Sequence, residues 1–167
     1  PPTDAAPRPR ILVADDQPAI LDALRLLLTD EGFDVDLARK PAEIAGMVQQ
    51  RDYDVVLMDL NYARDTTSGR EGLDLLPTLQ ELDAALPVLV MTAWGSVEGA
   101  VEAMRRGARD YVEKPWDDAR LVATLRTQVE LGAALRRSHR LEHEVRTLRR
   151  DAAAGRVELL AQSAAMQ

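Results

Sequence analysis

The stretch Asp54-Val55-Val56-Leu57-Met58-Asp59-Leu60 decides the fold. Its four central apolar residues run without a break and stop at a carboxylate. An unbroken apolar run with β-branched members fits a strand buried on both faces, as in a parallel sheet. In open α/β sheets, ligands bind beyond the carboxyl ends of such strands. Asp59 is therefore expected at the mouth of a site, unless it merely ends a strand in solvent. The rest of the chain decides between these readings.

The same pattern recurs upstream. Ile11-Leu12-Val13-Ala14 is a short apolar run ending in Asp15-Asp16. Pro18 suits the first turn of a helix, where its missing N–H is no loss. Ile20, Leu24, Leu27 and Leu28 follow at helical spacing, and Gly32 closes that helix. Phe33, Val35 and Leu37 alternate with Asp34 and Asp36, which predicts a strand near the sheet edge. Ile44, Met47 and Val48 mark a second helix after Pro41.

Downstream, residues 61–70 form a polar loop. A helix begins near Glu71 with Leu73, Leu76, Leu79 and Leu82 inward. Val88-Leu89-Val90-Met91 is a fourth buried strand, ending at Thr92. Val97, Ala100, Val101 and Met104 define a fourth helix, weakened by Gly99 and stopped by Gly107. Asp110-Tyr111-Val112 is a fifth strand, followed by Glu113-Lys114-Pro115, and a long helix starts near Asp117. Strands alternating with helices in this way predict a doubly wound α/β domain with a five-stranded parallel sheet. Right-handed crossovers then gather the strand ends on one edge.

Composition narrows the function. The chain has 167 residues and a formal net charge of −7, which argues against general nucleic-acid affinity. It has no Cys, excluding disulfides, thiol catalysis and Cys-ligated metal. His139 and His143 lie four apart in an arginine-rich helical stretch, where solvated residues are a simpler reading than a metal pair. No apolar run approaches the ~20 residues of a membrane span, and no signal peptide is visible, so a soluble cytoplasmic protein is expected. The first nine residues carry four prolines and are expected to be a disordered tail. The first residue is Pro, not Met, which fits a cut or processed chain.

Asp15, Asp16, Asp59, Thr92 and Lys114 each follow an apolar strand directly or within two residues. Three carboxylates brought together repel unless a cation neutralises them. Hard oxygen ligands with positions open to water and phosphate suit Mg2+. A carboxylate beside that ion can attack a phosphoryl group and keep it as an acyl phosphate. Lys114 and Thr92 can meet the remaining phosphoryl oxygens.

At this point the chain resembles a known family. Ile11-Leu12-Val13-Ala14-Asp15-Asp16, Leu57-Met58-Asp59, Val90-Met91-Thr92-Ala93 and Asp110-Tyr111-Val112-Glu113-Lys114-Pro115 are similar to the receiver domain of two-component response regulators. The resemblance covers about residues 10–130. It implies a flavodoxin-like receiver fold with strand order 2-1-3-4-5. It makes Asp59 the phosphoacceptor and a phosphohistidine of a sensor histidine kinase the donor. Asp16 would bind Mg2+ directly, Asp15 largely through water, and the main-chain carbonyl of Asn61 would be a further ligand beside Asp59. Thr92 and Lys114 take the phosphate-sensing positions, and Lys114-Pro115 is expected cis. Tyr111 takes the aromatic switch position, turning inward when Thr92 is drawn to the phosphate. Read without the family, Tyr111 is a half-buried strand aromatic.

The chain departs from the pattern in two places. If Gly72-Leu73 is the usual Gly-Leu pair, the loop after Asp59 is longer by about five residues, a length more often functional or mobile. It has Tyr62-Ala63 in place of the common Met-Pro. Trp94, two residues after Thr92, is bulky where the phosphate would leave, or is a plain surface aromatic.

From Leu131 onward a heptad can be written. Leu131, Ser138, Val145 and Ala152 take a; Ala134, Leu141 and Leu148 take d. Arg137 at g faces Glu142 at the next e, and Glu144 faces Arg149, as in a parallel two-stranded coiled coil. A single solvated helix is the simpler alternative. Residues 136–150 hold six Arg against two Glu, a basic segment without a recognisable helix-turn-helix. The stretch 157–167 is similar to the entry to the AAA+ domain of NtrC-type, sigma-54-dependent activators.

The expected division is a tail at 1–9, a receiver at 10–130, a linker helix at 131–152 and the start of a truncated AAA+ domain at 153–167. The expected protein is a regulator, not an enzyme, that catalyses its own phosphorylation and dephosphorylation. It would dimerise through residues 131–152, with the fourth-helix face as a second candidate contact. DNA and sigma-54 RNA polymerase would be reached only through missing C-terminal domains, and no P-loop is present.

Three other readings were weighed. A haloacid-dehalogenase-type phosphatase wants a second Asp where this chain has Asn61. A flavin-binding module wants a Ser/Thr/Gly-rich loop where Asp15-Asp16-Gln17-Pro18 stands. An unphosphorylated dimerisation module leaves the acidic and Lys set without a purpose.

Overall fold

A computed structural model describes residues 6–60 and 70–165. The apolar runs become the strands β1 (Arg10–Ala14), β2 (Asp34–Ala38), β3 (Val55–Asp59), β4 (Val88–Ala93) and β5 (Asp110–Lys114). The helices are α1 (Pro18–Asp30), α2 (Pro41–Gln50), α3 (Arg70–Leu82), α4 (Val97–Arg105) and α5 (Asp118–Ala165). All strand pairs are parallel, in the order β2-β1-β3-β4-β5. This is the flavodoxin-like order that the resemblance implied.

Burial explains the order. β3 is buried at every residue, β1 and β4 at all but one, and these three are the unbroken apolar runs. β2 alternates polar with apolar residues, β5 carries three charged residues around Tyr111 and Val112, and these two strands occupy the edges. Successive strand side chains point to opposite faces, so the sheet feeds two cores. Leu12, Val56, Met58 and Val90 pack with Ile44, Leu76, Leu79 and Ala103 on one face. Ile11, Val13, Leu57 and Met91 pack with Leu24, Leu28, Leu121 and Leu125 on the other. Helices α2, α3 and α4 therefore cover one side of the sheet, and α1 with the start of α5 the other.

The helix boundaries follow the punctuation. Pro18 and Pro41 open α1 and α2. Gly32 and Gly107, with φ of 95° and 114°, turn the chain after α1 and α4. At those angles a side chain would be strained.

One helix differs from the sequence reading, and a second shows what spacing left open. Leu82 is the last residue of α3 and is exposed, not inward. In α4 the buried residues are Ala100 and Ala103, while Val97, Val101 and Met104 are exposed. This short helix seats on the sheet through its small residues and turns its larger apolar ones out. Spacing identified the helix but could not say which of two overlapping stripes is inward.

The chain divides into two compact units, residues 1–132 and 133–167. In the second, α5 continues past 152 to Ala165. Every residue from 137 to 165 is exposed except Gly155, which is half-buried. Among the described residues, no helix is long and apolar enough to cross a membrane. Residues 1–5, Asn61 and the rest of the 61–69 loop lie outside the described residues.

The β2 edge is tied down by Tyr53, which is buried and donates its hydroxyl hydrogen to Asp36 Oδ2 at 2.7 Å; Arg51 reaches the same oxygen at 3.3 Å. Burial, then the bond to Asp36, pushes the Tyr53 hydroxyl from 10.0 up to about 12. The neutral hydroxyl is thus favoured on folding. Its contribution is fully present below pH 10.0 and is lost as pH rises through about 12. Tyr53→Phe should cost roughly 1–2 kcal/mol in urea unfolding at pH 7. A variant as stable as the native chain would remove this tie from the account.

Candidate functional site

Four of the five strands bring a residue to one edge of the sheet. Asp15 follows β1 directly, and its backbone N–H bonds Ala38 O at 3.1 Å, continuing the ladder to β2. Its carboxylate is fully buried and held at both oxygens. Oδ1 accepts from the Gln17 N–H at 2.9 Å, and Oδ2 accepts from Lys114 Nζ at 2.7 Å. The first bond also shapes the entry into α1. Asp16 is next in the chain and only partly buried.

Asp59 is the last residue of β3, opposite Met91 of β4, and is buried. The ladder continues one residue further, Leu60 N–H to Met91 O at 3.0 Å, so the backbone under Asp59 is fixed. Lys114 ends β5 opposite Ala93 and sits 3.3 Å from Asp59 Oδ2. The Lys114-Pro115 peptide is cis. Thr92 lies in β4 and is buried.

One oxygen from each of Asp15, Asp16 and Asp59 lies within 4.8 Å of the others. That spacing suits a single cation, and carboxylates are the hard donors that Mg2+ and Ca2+ take. Lys114 supplies one positive charge to a group that carries three negative ones when ionised. Like charges so close repel strongly at low dielectric. The donor set therefore fits a divalent cation.

Thr92 Oγ1 gives a second indication. It is buried and has no hydrogen-bond partner among the described residues. An unmet buried hydroxyl costs about 1–3 kcal/mol, and a ligand oxygen at the strand edge would recover that cost. Three carboxylates that could hold a cation, with an ammonium and an unmet hydroxyl on the same edge, suit a phosphoryl group better than a bare metal.

The structure brings together Asp15, Asp16, Asp59 and Lys114, as the sequence predicts. Thr92 belongs to the same edge. Tyr111 does not join them. It pairs with Val90 in the sheet, is 44% exposed, and faces a groove of about 390 Å³ lined by Val97, Ala100, Val101 and Met104. What the sequence could not supply is this outward groove, because it depends on which side of α4 is buried.

The family model described as the response regulator receiver domain matches residues 11–126. The transcriptional regulatory protein ZraR of Escherichia coli is 40% identical over 115 residues, 69% of this chain and 25% of its own length. The chain thus spans about a quarter of that relative. The receiver domain of NtrX from Brucella abortus superposes with a TM-score of 0.65 at 32% identity, covering 72% of this chain and 98% of that one. The beryllofluoride-activated NtrC4 receiver domain, a dimer, superposes with a TM-score of 0.66 at 28% identity, covering 74% and 98%.

Lys114 and a cation should compete for the same carboxylates. Lys114→Met should therefore lower the melting temperature in EDTA and enlarge the rise that Mg2+ gives, because binding to the folded state alone stabilises it. An unchanged Mg2+-dependent rise would mean that Lys114 does not hold the carboxylates apart in charge terms.

Proposed function

The chain belongs to the response regulator receiver family, in its NtrC-type branch, and on that premise we propose that Asp59 accepts a phosphoryl group from a phosphohistidine of a sensor histidine kinase. The observation that carries the reading is the meeting of Asp15, Asp16 and Asp59 within 4.8 Å, beside Lys114. Receivers are regulators, so the output is a change of state and not a released product.

In the proposed reaction an oxygen of the Asp59 carboxylate attacks phosphorus. The P–N bond to the donor imidazole breaks and its electron pair returns to nitrogen. The product is an acyl phosphate on Asp59. Mg2+ is the proposed cofactor; when bound it offsets charge on the phosphoryl oxygens and on the carboxylates. Asp15, Asp16 and Asp59 would hold it, together with the main-chain carbonyl of Asn61. Lys114 would move its ammonium from Asp59 to a phosphoryl oxygen, a shift supported by its position 3.3 Å from Oδ2. Thr92 would donate its free hydroxyl to another of those oxygens. Drawing Thr92 toward the phosphate opens space behind it, which Tyr111 would enter from its outward pose.

The readout proposed is dimer arrangement. Residues 131–152 would form a parallel coiled coil through Leu131, Leu141, Val145 and Leu148, all exposed in the single chain. The Arg137–Glu142 and Glu144–Arg149 pairs would set its orientation, since exposed pairs contribute only about 0.2–1 kcal/mol each. In a longer cytoplasmic activator the dimer would govern a sigma-54-type ATPase, with DNA and sigma-54 RNA polymerase reached through domains beyond this chain.

Intact mass after acetyl phosphate and Mg2+ should show one phosphoryl adduct on the native chain and none on Asp59→Asn. A full adduct on Asp59→Asn, or on the native chain in EDTA, would move the acceptor elsewhere. Separately, Leu141→Ser with Leu148→Ser should give monomers in sedimentation at micromolar protein. A variant that stays fully dimeric would place the main interface on another face.

A further inference from the structure

Residues 136–150 hold six Arg against two Glu, in a chain whose net charge is −7. Positive charge is thus gathered on one stretch of α5, and its placement is periodic. Arg136, His139, His143, Arg146 and Arg150 follow one another at steps of three, four, three and four, and Arg140 lies four after Arg136. On a helix such steps trace one stripe. At ~1.5 Å per residue the stripe runs about 21 Å. Glu142 and Glu144 fall outside it. Leu141, Val145 and Leu148 take the opposite side, so the stripe faces outward whether the helix is single or paired. Every residue of the stripe beyond Arg136 is exposed. Among the described residues, Arg140, Arg146 and Arg150 are in no ion pair.

The form of the stripe indicates what it meets. A straight, evenly spaced row of cations fits a straight, evenly spaced row of anions, and duplex DNA carries one phosphate charge per ~1.7 Å of its axis. A guanidinium bonds phosphate oxygens two at a time, and a histidine ring N–H can donate to another. Basic residues gathered along one helix are the electrostatic footprint of such a contact. A membrane surface fits less well. A helix lying on a bilayer sinks its apolar side into the lipid. Here that would turn the stripe to solvent, away from the headgroups.

We propose that this stripe of α5, with Arg140, Arg146 and Arg150 as its main contacts, lies along the phosphate backbone of a DNA duplex and holds the chain to it without regard to sequence. Backbone contacts position a protein on a duplex and carry no sequence information. The inference goes beyond the phosphoacceptor reading and does not depend on it, since these residues belong to the second compact unit. It adds a contact to the DNA reached through domains beyond this chain. A few phosphate contacts are weak alone. Once another domain holds the same duplex, the stripe meets it at a raised effective concentration. The acidic remainder of the chain repels the duplex and confines the contact to the stripe.

The test measures binding of the full chain to a short labelled DNA duplex by fluorescence anisotropy. Raising salt from about 50 to about 200 mM should weaken binding about 40-fold, the effect of three phosphate contacts. Arg140→Glu, Arg146→Glu and Arg150→Glu together should abolish binding at low salt. Glu favours a helix, so circular dichroism should show α5 intact in that variant. Arg25→Glu, Arg105→Glu and Arg120→Glu make the same charge change at exposed positions of the first unit. They should leave affinity within about three-fold, because screening weakens distant charges. Duplexes of unrelated sequence should bind alike. No binding by the native chain at low salt overturns the proposal, as does an affinity that ignores the stripe reversals or falls as far with the control set. A preference for one duplex of about ten-fold or more overturns the independence from sequence. Anionic vesicles or a polyglutamate chain bound as tightly as the duplex overturn DNA as the partner. No phosphoryl adduct enters these measurements, so their failure leaves the Asp59 reading standing.

Discussion

The repulsion among Asp15, Asp16 and Asp59 is the constraint that the rest of the structure answers to. Buried carboxylates are among the costliest groups to place in a protein interior. Here the cost is met locally: Asp15 is bonded at both oxygens, one by the Gln17 N–H and one by Lys114. Lys114 serves two carboxylates at once, at 2.7 and 3.3 Å. The parallel sheet makes this possible, because β1, β3 and β5 all end on the same side. One ammonium from an edge strand thus reaches across the sheet to the central strand ends. A compensation that is only partial leaves the site receptive to a cation and, through it, to an anion.

The fold was legible because burial and composition coincide in this sheet. The three unbroken apolar runs are the three inner strands, and the two richer in charged residues are the edges. The acidic and lysine positions were legible for the same reason, since each stands where an apolar run stops. Less legible was anything set by side-chain size. Val97, Ala100, Val101 and Met104 mark the helix by spacing without saying which side is inward; α4 rests on Ala100 and Ala103, which are small. Leu82 fell on the inward phase of α3 but closes the helix at the surface. Hydrophobic spacing measures phase, and phase cannot choose between two adjacent stripes when both are apolar.

Thr92 links the two parts of the molecule that matter most. Its buried hydroxyl has no partner among the described residues, while the strand it belongs to lies beside Tyr111 and leads through Trp94 to α4. A change at that hydroxyl reaches the groove within a few residues of chain. Nothing long-range need be invoked, because β4 and β5 are hydrogen-bonded neighbours.

The other margin of the sheet has a different consequence. β2 ends the sheet, and a bare strand edge invites a strand from another molecule. Asp34 and Asp36 put fixed negative charge along it, and Tyr53 and Arg51 brace Asp36 in place. An incoming copy of β2 would bring the same two carboxylates against their equals. During synthesis, when many partly folded chains are near one another and parallel sheets are slow to close, that margin repels its own kind. The carboxylates of β2 therefore act before the molecule is finished, by keeping unfinished molecules apart.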